Sequence, residues 1–337
     1  MNTLLRRLSA PMAMAALLAG CRSAEPQYVR NEGYVFGTTY HYTYAHSADL
    51  GQAIALKLRQ YDASLSTFNR NSIISRVNRN EDVEVDTFFV TVFRRAQQIN
   101  RLSGGAYDLT VAPLLDAWGF GFANADSITP QLIDSLMQFV GMDKIDLDGR
   151  RVVKADSRVR IEACSLAEGY GVDVAASVLD SAGVTDYMVE IGGEVHVRGR
   201  NPKGELWHIA VDKPIEGSTE ADRQCQLILG LTDCAVSTSG SYRNFYYKDG
   251  KRLSHTIDPT TGHPIEHGML SVTVVGPNTM TTDALSTTMM VMGPDSARNF
   301  AARTDGIEAF FIYGDSLGNI RTDMTPGFEK LIVRRLD

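Results

Sequence analysis

Residues 160–198 read RIEACSLAEGYGVDVAASVLDSAGVTDYMVEIGGEVHVR, and the fold class turns on this run. It starts as a strand-like segment through Glu162, passes a short loop and becomes helical from about 166 to 181. A strand is expected over 187–198, with Gly192-Gly193 inside it marking a bulge or a close approach by another backbone or a ligand. On the C-terminal side, 206–212, 225–231, 234–238, 242–247, 253–257 and 270–276 also read as strands. Helices over about 282–291 and 294–304 follow, then strands near 308–313 and 330–335. On the N-terminal side, YVFGTTYHYTY (34–44) reads as a strand, and Ile54, Leu56, Leu58 and Tyr61 recur at helical spacing over 48–63. A polar loop (66–80) leads to a helix over about 87–102 that buries Phe88, Val90, Val92 and Phe93, and Asp148-Gly149 reads as a tight hairpin turn. Helices and antiparallel-looking strands in irregular order predict an α+β protein rather than a doubly wound parallel sheet.

The composition agrees: 337 residues, 44% hydrophobic and 22% charged, is that of a globular chain forming one large domain or two subdomains. The net charge of −7 and the lack of any Lys/Arg block remove the electrostatic footprint of a nucleic-acid binder. Residues 1–20, MNTLLRRLSAPMAMAALLAG, have the positive start, apolar middle and small-residue end of a secretory signal. Leu18-Ala19-Gly20-Cys21 resembles a bacterial lipobox, which implies cleavage before Cys21 and lipid on its sulfur. Residues 21–32 are then expected to be a linker from the anchor and 33–337 the functional domain. Of the four cysteines, Cys164, Cys225 and Cys234 remain after Cys21. An odd number leaves at least one free thiol, and Cys225 and Cys234, which could bridge, sit in apolar strand-like runs that suit small buried side chains.

Three stretches carry chemistry. Thr281-Thr282-Asp283-Ala284-Leu285-Ser286-Thr287 opens a helix with Asp283 and Thr287 on one face. A carboxylate and a hydroxyl there are hard oxygen ligands of the type Mg²⁺ prefers, but plain N-capping by Thr282 or Asp283 explains the same residues. At the 160–170 junction, Glu162 and Glu168 bring acid to a helix N-terminus, while Ser165 and Glu168 also match a capping box. In 237–244 (STSGSYRN) small hydroxyl residues and glycine allow backbone N–H groups to approach a phosphate. His255, just before the Asp258-Pro259-Thr260-Thr261-Gly262 turn, can move a proton near neutral pH, or serve only as a structural strand residue. Residues 103–123, SGGAYDLTVAPLLDAWGFGFA, lack periodicity at a length that usually serves function. GxGxxG, Walker A and HExxH motifs are absent from the sequence.

Taken in order, these stretches resemble the FAD:protein FMN transferases of the ApbE family, many of which are lipoproteins. The matching motifs are Phe36-Gly37-Thr38-Thr39-Tyr40, Ser66-Thr67-Phe68, Gly104-Gly105-Ala106-Tyr107-Asp108 through Trp118-Gly119-Phe120-Gly121, and Ala167-Glu168-Gly169-Tyr170 with Asp173. Glu190-Ile191-Gly192-Gly193-Glu194, Thr238-Ser239-Gly240 with Tyr242-Arg243, Ser254-His255 with Asp258-Pro259 and Thr261-Gly262, and Asp283-Ala284 with Thr287 complete the series. The resemblance implies an ApbE-type α+β fold, with antiparallel or mixed sheets flanked by helices in two closely packed subdomains. It also implies Mg²⁺-dependent cleavage of FAD, transfer of FMN to a Thr or Ser hydroxyl of a target protein, and release of AMP. Asp283 and Thr287 would bind Mg²⁺ through side chains and Ser165 through its carbonyl. Phe36, Phe68, Ala106, Tyr107, Asp108, Glu162, Glu168, His255 and Ile257 would contact FAD. His255 is the candidate acceptor of the hydroxyl proton, with Asp258 as alternative.

The family commonly has methionine at Phe36, often tyrosine at Phe68, aspartate at Glu162 and, in many members, lysine at Glu168. The expected setting is a body outside the cytoplasmic membrane, in the periplasm of a bacterium, held to the membrane by lipid alone and serving membrane or secreted redox proteins. Two other readings use the same pocket: an FAD pyrophosphatase giving FMN and AMP, and a non-catalytic flavin-binding lipoprotein.

Overall fold

The computed structural model describes residues 27–121, 128–218, 222–242, 244–248, 250–315 and 317–336. The leader, Cys21, residues 22–26 of the expected linker, residues 122–123 and Arg243 lie outside the described residues. In chain order the first half runs β1 (Tyr28–Val35), β2 (Thr38–Ala45), α1 (Gly51–Leu65), α2 (Ile73–Asn78), α3 (Thr87–Ser103), α4 (Ala112–Ala117) and α5 (Pro130–Met137). The hairpin β3 (Ile145–Asp148) and β4 (Arg151–Lys154) leads into α6 (Cys164–Ser181). Strands β5 (Tyr187–Ile191), β6 (Glu194–Arg198), β7 (Trp207–Asp212), β8 (Cys225–Leu231), β9 (Cys234–Gly240), β10 (Phe245–Lys248), β11 (Lys251–Ser254) and β12 (Met269–Gly276) follow. The chain ends with α7 (Thr279–Ala301), β13 (Glu308–Gly314), β14 (Ile320–Met324), α8 (Pro326–Glu329) and β15 (Ile332–Arg335).

Eight strands form one sheet in the order β1-β2-β5-β6-β9-β12-β13-β14, every pairing antiparallel. Strand alternation sends side chains to opposite faces, and β13 shows it plainly. Phe311 enters the core with α1, α3, α6 and α7, whereas Phe310 and Ile312 face the small sheet β15-β8-β7 with Leu227, Leu229 and Phe328. A third cluster (Leu114, Trp118, Ile133, Val140, Leu253 and Ile257) joins α4 and α5 to the segment after β11. Helices on one face of an antiparallel sheet and a second sheet on the other make this α+β. Among the described residues no helix is long and apolar enough to cross a membrane.

Two expected strands are hairpins. Over 28–45 the chain turns at Phe36-Gly37, with φ of 55° and 81°, and Val35 opposite Thr38. Positive φ at both central positions is the two-residue turn that matches strand twist. A bulky residue rarely adopts it, which is why the sequence hides this turn. Residues 28–32 therefore belong to β1 and not to the linker. The double glycine over 187–198 is likewise a turn, not a bulge: Gly192 and Gly193 have φ of 65° and 105°, and Ile191 pairs with Glu194. The two C-terminal helices lie in one run that loses helical geometry at Gly293 (φ 74°, ψ 171°), ahead of Pro294. That run begins at Thr279, earlier than expected, because Asn278 is its N-cap and accepts from the Thr281 N–H. In α3 the buried residues are Phe89, Val92, Phe93, Ala96 and Ile99; Phe88 and Val90 are half-buried. Cys164, Cys225 and Cys234 are free thiols and half-buried, so no bridge joins Cys225 to Cys234.

Candidate active site

The site is built where α6 and α7 touch. A Cβ added at Gly169 would lie 2.5 Å from the Thr279 carbonyl oxygen and 2.7 Å from Asp283 Cβ. Only glycine permits that approach. It brings the Gly169 N–H to donate to Asp283 Oδ2 at 2.9 Å. Asp283 is 6% exposed and lies in the second turn of α7, past the capping position. The structure thus removes the N-cap explanation for Thr282 and Asp283; Thr282 Oγ1 instead shares a hydrogen bond with Ser237 Oγ at 2.8 Å. One turn on, Thr287 Oγ1 is 3.0 Å from Ser239 Oγ, which also meets Ser286 at 2.7 Å. The Ser237 and Ser239 hydroxyls thus bind β9 to α7, while Thr238 Oγ1 pairs with Thr273 of β12 at 2.9 Å.

Acid accumulates around this contact. Burial pushes the Asp283 carboxyl well above its usual range, and Glu168, Asp173 and Glu162 add to the rise. Burial also raises Glu194, with Asp283, Glu168 and Glu190 contributing. Glu168 keeps solvent access, yet protein surrounds most of its carboxyl; burial and then Glu162 push it up to about 7. None of these shifts has a neighbouring Lys or Arg among its causes. A buried carboxylate cluster without a cation is electrostatically unfavourable and is relieved by protons or by a bound positive ion. Among the described residues no group of three or more His, Cys, Asp or Glu is arranged to hold a metal ion. At the contact the Asp283 carboxylate is followed one helical turn later by the Thr287 hydroxyl.

The α6 N-terminus differs from the expected capping box. Glu162 takes the Cys164 N–H on both carboxylate oxygens at 3.0 Å, and burial raises its pKa against those bonds. Ser165 Oγ instead donates to the Tyr107 hydroxyl at 3.2 Å, so Tyr107, 3% exposed, reaches the site from the irregular segment. Asp108 accepts from the Thr110 and Met142 N–H groups at 2.7 and 2.9 Å. Ala106 is half-buried beside Tyr107. The Phe36 ring stands edge-on to Tyr61 at 5.6 Å, and a Cβ at Gly171 would lie 2.8 Å from it. Phe68 is 78% exposed.

His255 follows β11, and its Nδ1 lies 3.0 Å from the Asn244 carbonyl oxygen. A carbonyl only accepts, so Nδ1 carries the hydrogen and Nε2 keeps its lone pair. Burial pulls the imidazole pKa down, which keeps the ring neutral at neutral pH. Trp118 Nε1 donates to the Gly262 carbonyl at 2.8 Å and Tyr246 donates to the Trp118 carbonyl at 2.8 Å, tying segment 103–121 to the turn after His255. Ile257, 6% exposed, bridges to Pro264 within that turn. Asp258 Oδ1 accepts from both the N–H and the hydroxyl of Thr260, at 2.8 and 2.7 Å, and so holds the turn. Sequence reading gave no role to Asp173, Glu194 or His196, all of which the structure brings to the same helix contact.

An α+β frame that converges carboxylates and hydroxyls between two touching helices defines the class. The ApbE family model matches residues 36–311. An FAD:protein FMN transferase of Haemophilus influenzae is 35% identical over 337 residues, 95% of this chain and 96% of that protein. Its namesake in Vibrio cholerae is 38% identical over 295 residues, 84% of this chain and 87% of that protein. The solved flavin transferase ApbE from Vibrio cholerae superposes with a TM-score of 0.81 at 33% identity, over 91% of this chain and 99% of that one. The chain belongs to the ApbE family.

Proposed function

We propose that this chain is an FAD:protein FMN transferase, lipid-anchored through Cys21 with its body in the periplasm, that uses Mg²⁺ held by Asp283, Thr287 and the Ser165 carbonyl. The observation that carries the reading is the buried Asp283 carboxylate, set among Glu162, Glu168 and Glu194, with no Lys or Arg among the causes of its shift. One Asp283 oxygen takes the Gly169 N–H, and the other has no hydrogen bond among the described residues. A hard divalent ion fits that oxygen set, with coordination sites left for phosphate oxygens and water. When bound, Mg²⁺ neutralises charge on the two FAD phosphates as the bond between them breaks.

The rest is done by the chain itself. Tyr107, Phe36 and the exposed Phe68 offer aromatic surface for the two ring systems, and the segment tied down by Trp118 bounds the nucleotide half. The acceptor Thr or Ser oxygen forms a bond to the FMN-side phosphorus, the bond from that phosphorus to the bridging oxygen breaks, and AMP leaves carrying the bridging oxygen. His255 Nε2 takes the hydroxyl proton, its tautomer set by the Asn244 carbonyl. Replacing His255 by alanine is expected to lower kcat by at least about a hundredfold. Because the base must be neutral and its pKa is pulled down, the parent rate rises through acid pH and is flat by neutrality. In the variant that rising limb disappears; a limb left unchanged assigns the proton to another group.

Incubation with FAD, Mg²⁺ and a threonine-containing acceptor peptide tests the activity. A covalent fluorescent adduct with one AMP per adduct supports it. FMN release without adduct identifies a pyrophosphatase, and intact FAD a flavin-binding protein. For the anchor, Cys21→Ser is expected to move the protein from the membrane to the soluble fraction, and unchanged partitioning contradicts lipidation.

A further inference from the structure

Asp173 lies one turn beyond Gly169 on α6, and its carboxylate faces the start of α7. Its Oδ1 accepts from the Thr279 N–H at 2.9 Å and its Oδ2 from the Met280 N–H at 2.9 Å. His196 on β6 has its Nδ1 3.0 Å from the same Oδ1, and since a carboxylate only accepts, that nitrogen is the donor. Both side chains are enclosed, with 15% and 18% of their surface accessible. The contact at Asp283 and the contact at Asp173 form a ladder: residue 169 meets 283, and 173 meets 279, so the helices run antiparallel here and are pinned twice. The pins are four residues apart on each helix, about 6 Å at 1.5 Å per residue. Gly169, with no side chain, cannot fix that register alone; a carboxylate gripping two backbone N–H groups can.

We propose that Asp173, oriented by His196, is a positioning residue for the Asp283 metal site: it sets the register of α7 on α6 and so places the Asp283 carboxylate. The inference rests on the reading of Asp283 as a metal ligand. Groups that hold ligands in place commonly govern metal affinity by about ten- to a hundredfold without touching the ion. Asp173 acts one step further back, through the helix that carries the ligand.

The test uses the full chain in detergent. Asp173→Asn keeps the size but turns one acceptor oxygen into an amide that cannot receive an N–H. Calorimetric titration of Mg²⁺ into FAD-saturated protein is expected to show affinity weakened about tenfold or more. FAD affinity without Mg²⁺, read by flavin fluorescence, stays within twofold, and backbone amides of 279–283 exchange faster with solvent. His196→Ala leaves both α7 bonds in place but frees the carboxylate, so it weakens Mg²⁺ binding less, in the same direction, and His196→Gln restores it. Asp283→Asn separates the two ideas. If it loses Mg²⁺ while Asp173→Asn binds within twofold of the parent, the positioning role is overturned and the metal site stands. If Asp283→Asn binds Mg²⁺ normally, the metal reading falls and this inference with it. Should Asp173→Asn fail to fold, unchanged Mg²⁺ affinity in His196→Ala overturns the proposal.

Discussion

Asp283→Asn is expected to lower AMP release by about a thousandfold or more while leaving the melting temperature of the metal-free protein unchanged or higher. The two halves have one cause. Losing several kcal/mol of charge stabilisation in the transition state costs a decade of rate per about 1.4 kcal/mol. In the metal-free protein the same carboxylate is a liability, because burial and nearby acids oppose its ionisation. Asparagine keeps an oxygen for the Gly169 N–H and removes the charge, so that N–H is not left unsatisfied. Turnover with saturating FAD and Mg²⁺, and thermal melts with and without Mg²⁺, check both. A variant that retains rate, or that melts several degrees lower without metal, makes Asp283 a structural residue.

Gly169→Ala is expected to destabilise the protein by about 2–3 kcal/mol and to depress activity with it. The sign is what makes this informative. Alanine inside a helix normally stabilises by about 1 kcal/mol relative to glycine. Here the new methyl falls 2.5 Å from a backbone oxygen of α7 and 2.7 Å from Asp283 Cβ, neither of which is the end of a flexible side chain. The helices must separate, taking the Gly169 N–H away from Asp283. Gly171→Ala is the comparison: its methyl meets a ring carbon of Phe36, which can swing aside, so the cost is smaller. Chemical denaturation of the two variants decides it; equal stability would show that α6 and α7 are not in hard contact.

Much of this architecture was legible because hydrophobic period and turn chemistry agree locally. The hairpin at Asp148-Gly149 and the break at Gly293-Pro294 fall where the sequence places them. The Phe36-Gly37 turn was hidden because a phenylalanine occupies a left-handed conformation, and alternation runs unbroken through it. At the helix contact, spacing puts Asp283 and Thr287 on one helical face but does not separate a metal site from a plain cap, and Asp173 and Glu194 give no local signal. Asp173 is far from Asp283 and Thr287 in sequence, and its value lies in two N–H groups of another helix. Glu194 reads as an ordinary strand residue until the Gly192-Gly193 turn directs it into the acidic cluster. The apparent capping box at Ser165 and Glu168 misleads because Glu162 has already taken the first free N–H of α6. Local rules find which residues are chemically able, and tertiary contacts decide which of them are used.

The most direct test of the metal site is a crystal grown with FAD and Mn²⁺, an oxygen-preferring ion that scatters anomalously. An anomalous peak is expected about 2.0–2.2 Å from an Asp283 carboxylate oxygen and the Thr287 hydroxyl, with phosphate oxygens of FAD on its open side. FAD bound with no peak at Asp283, or a peak held by other residues, would contradict it.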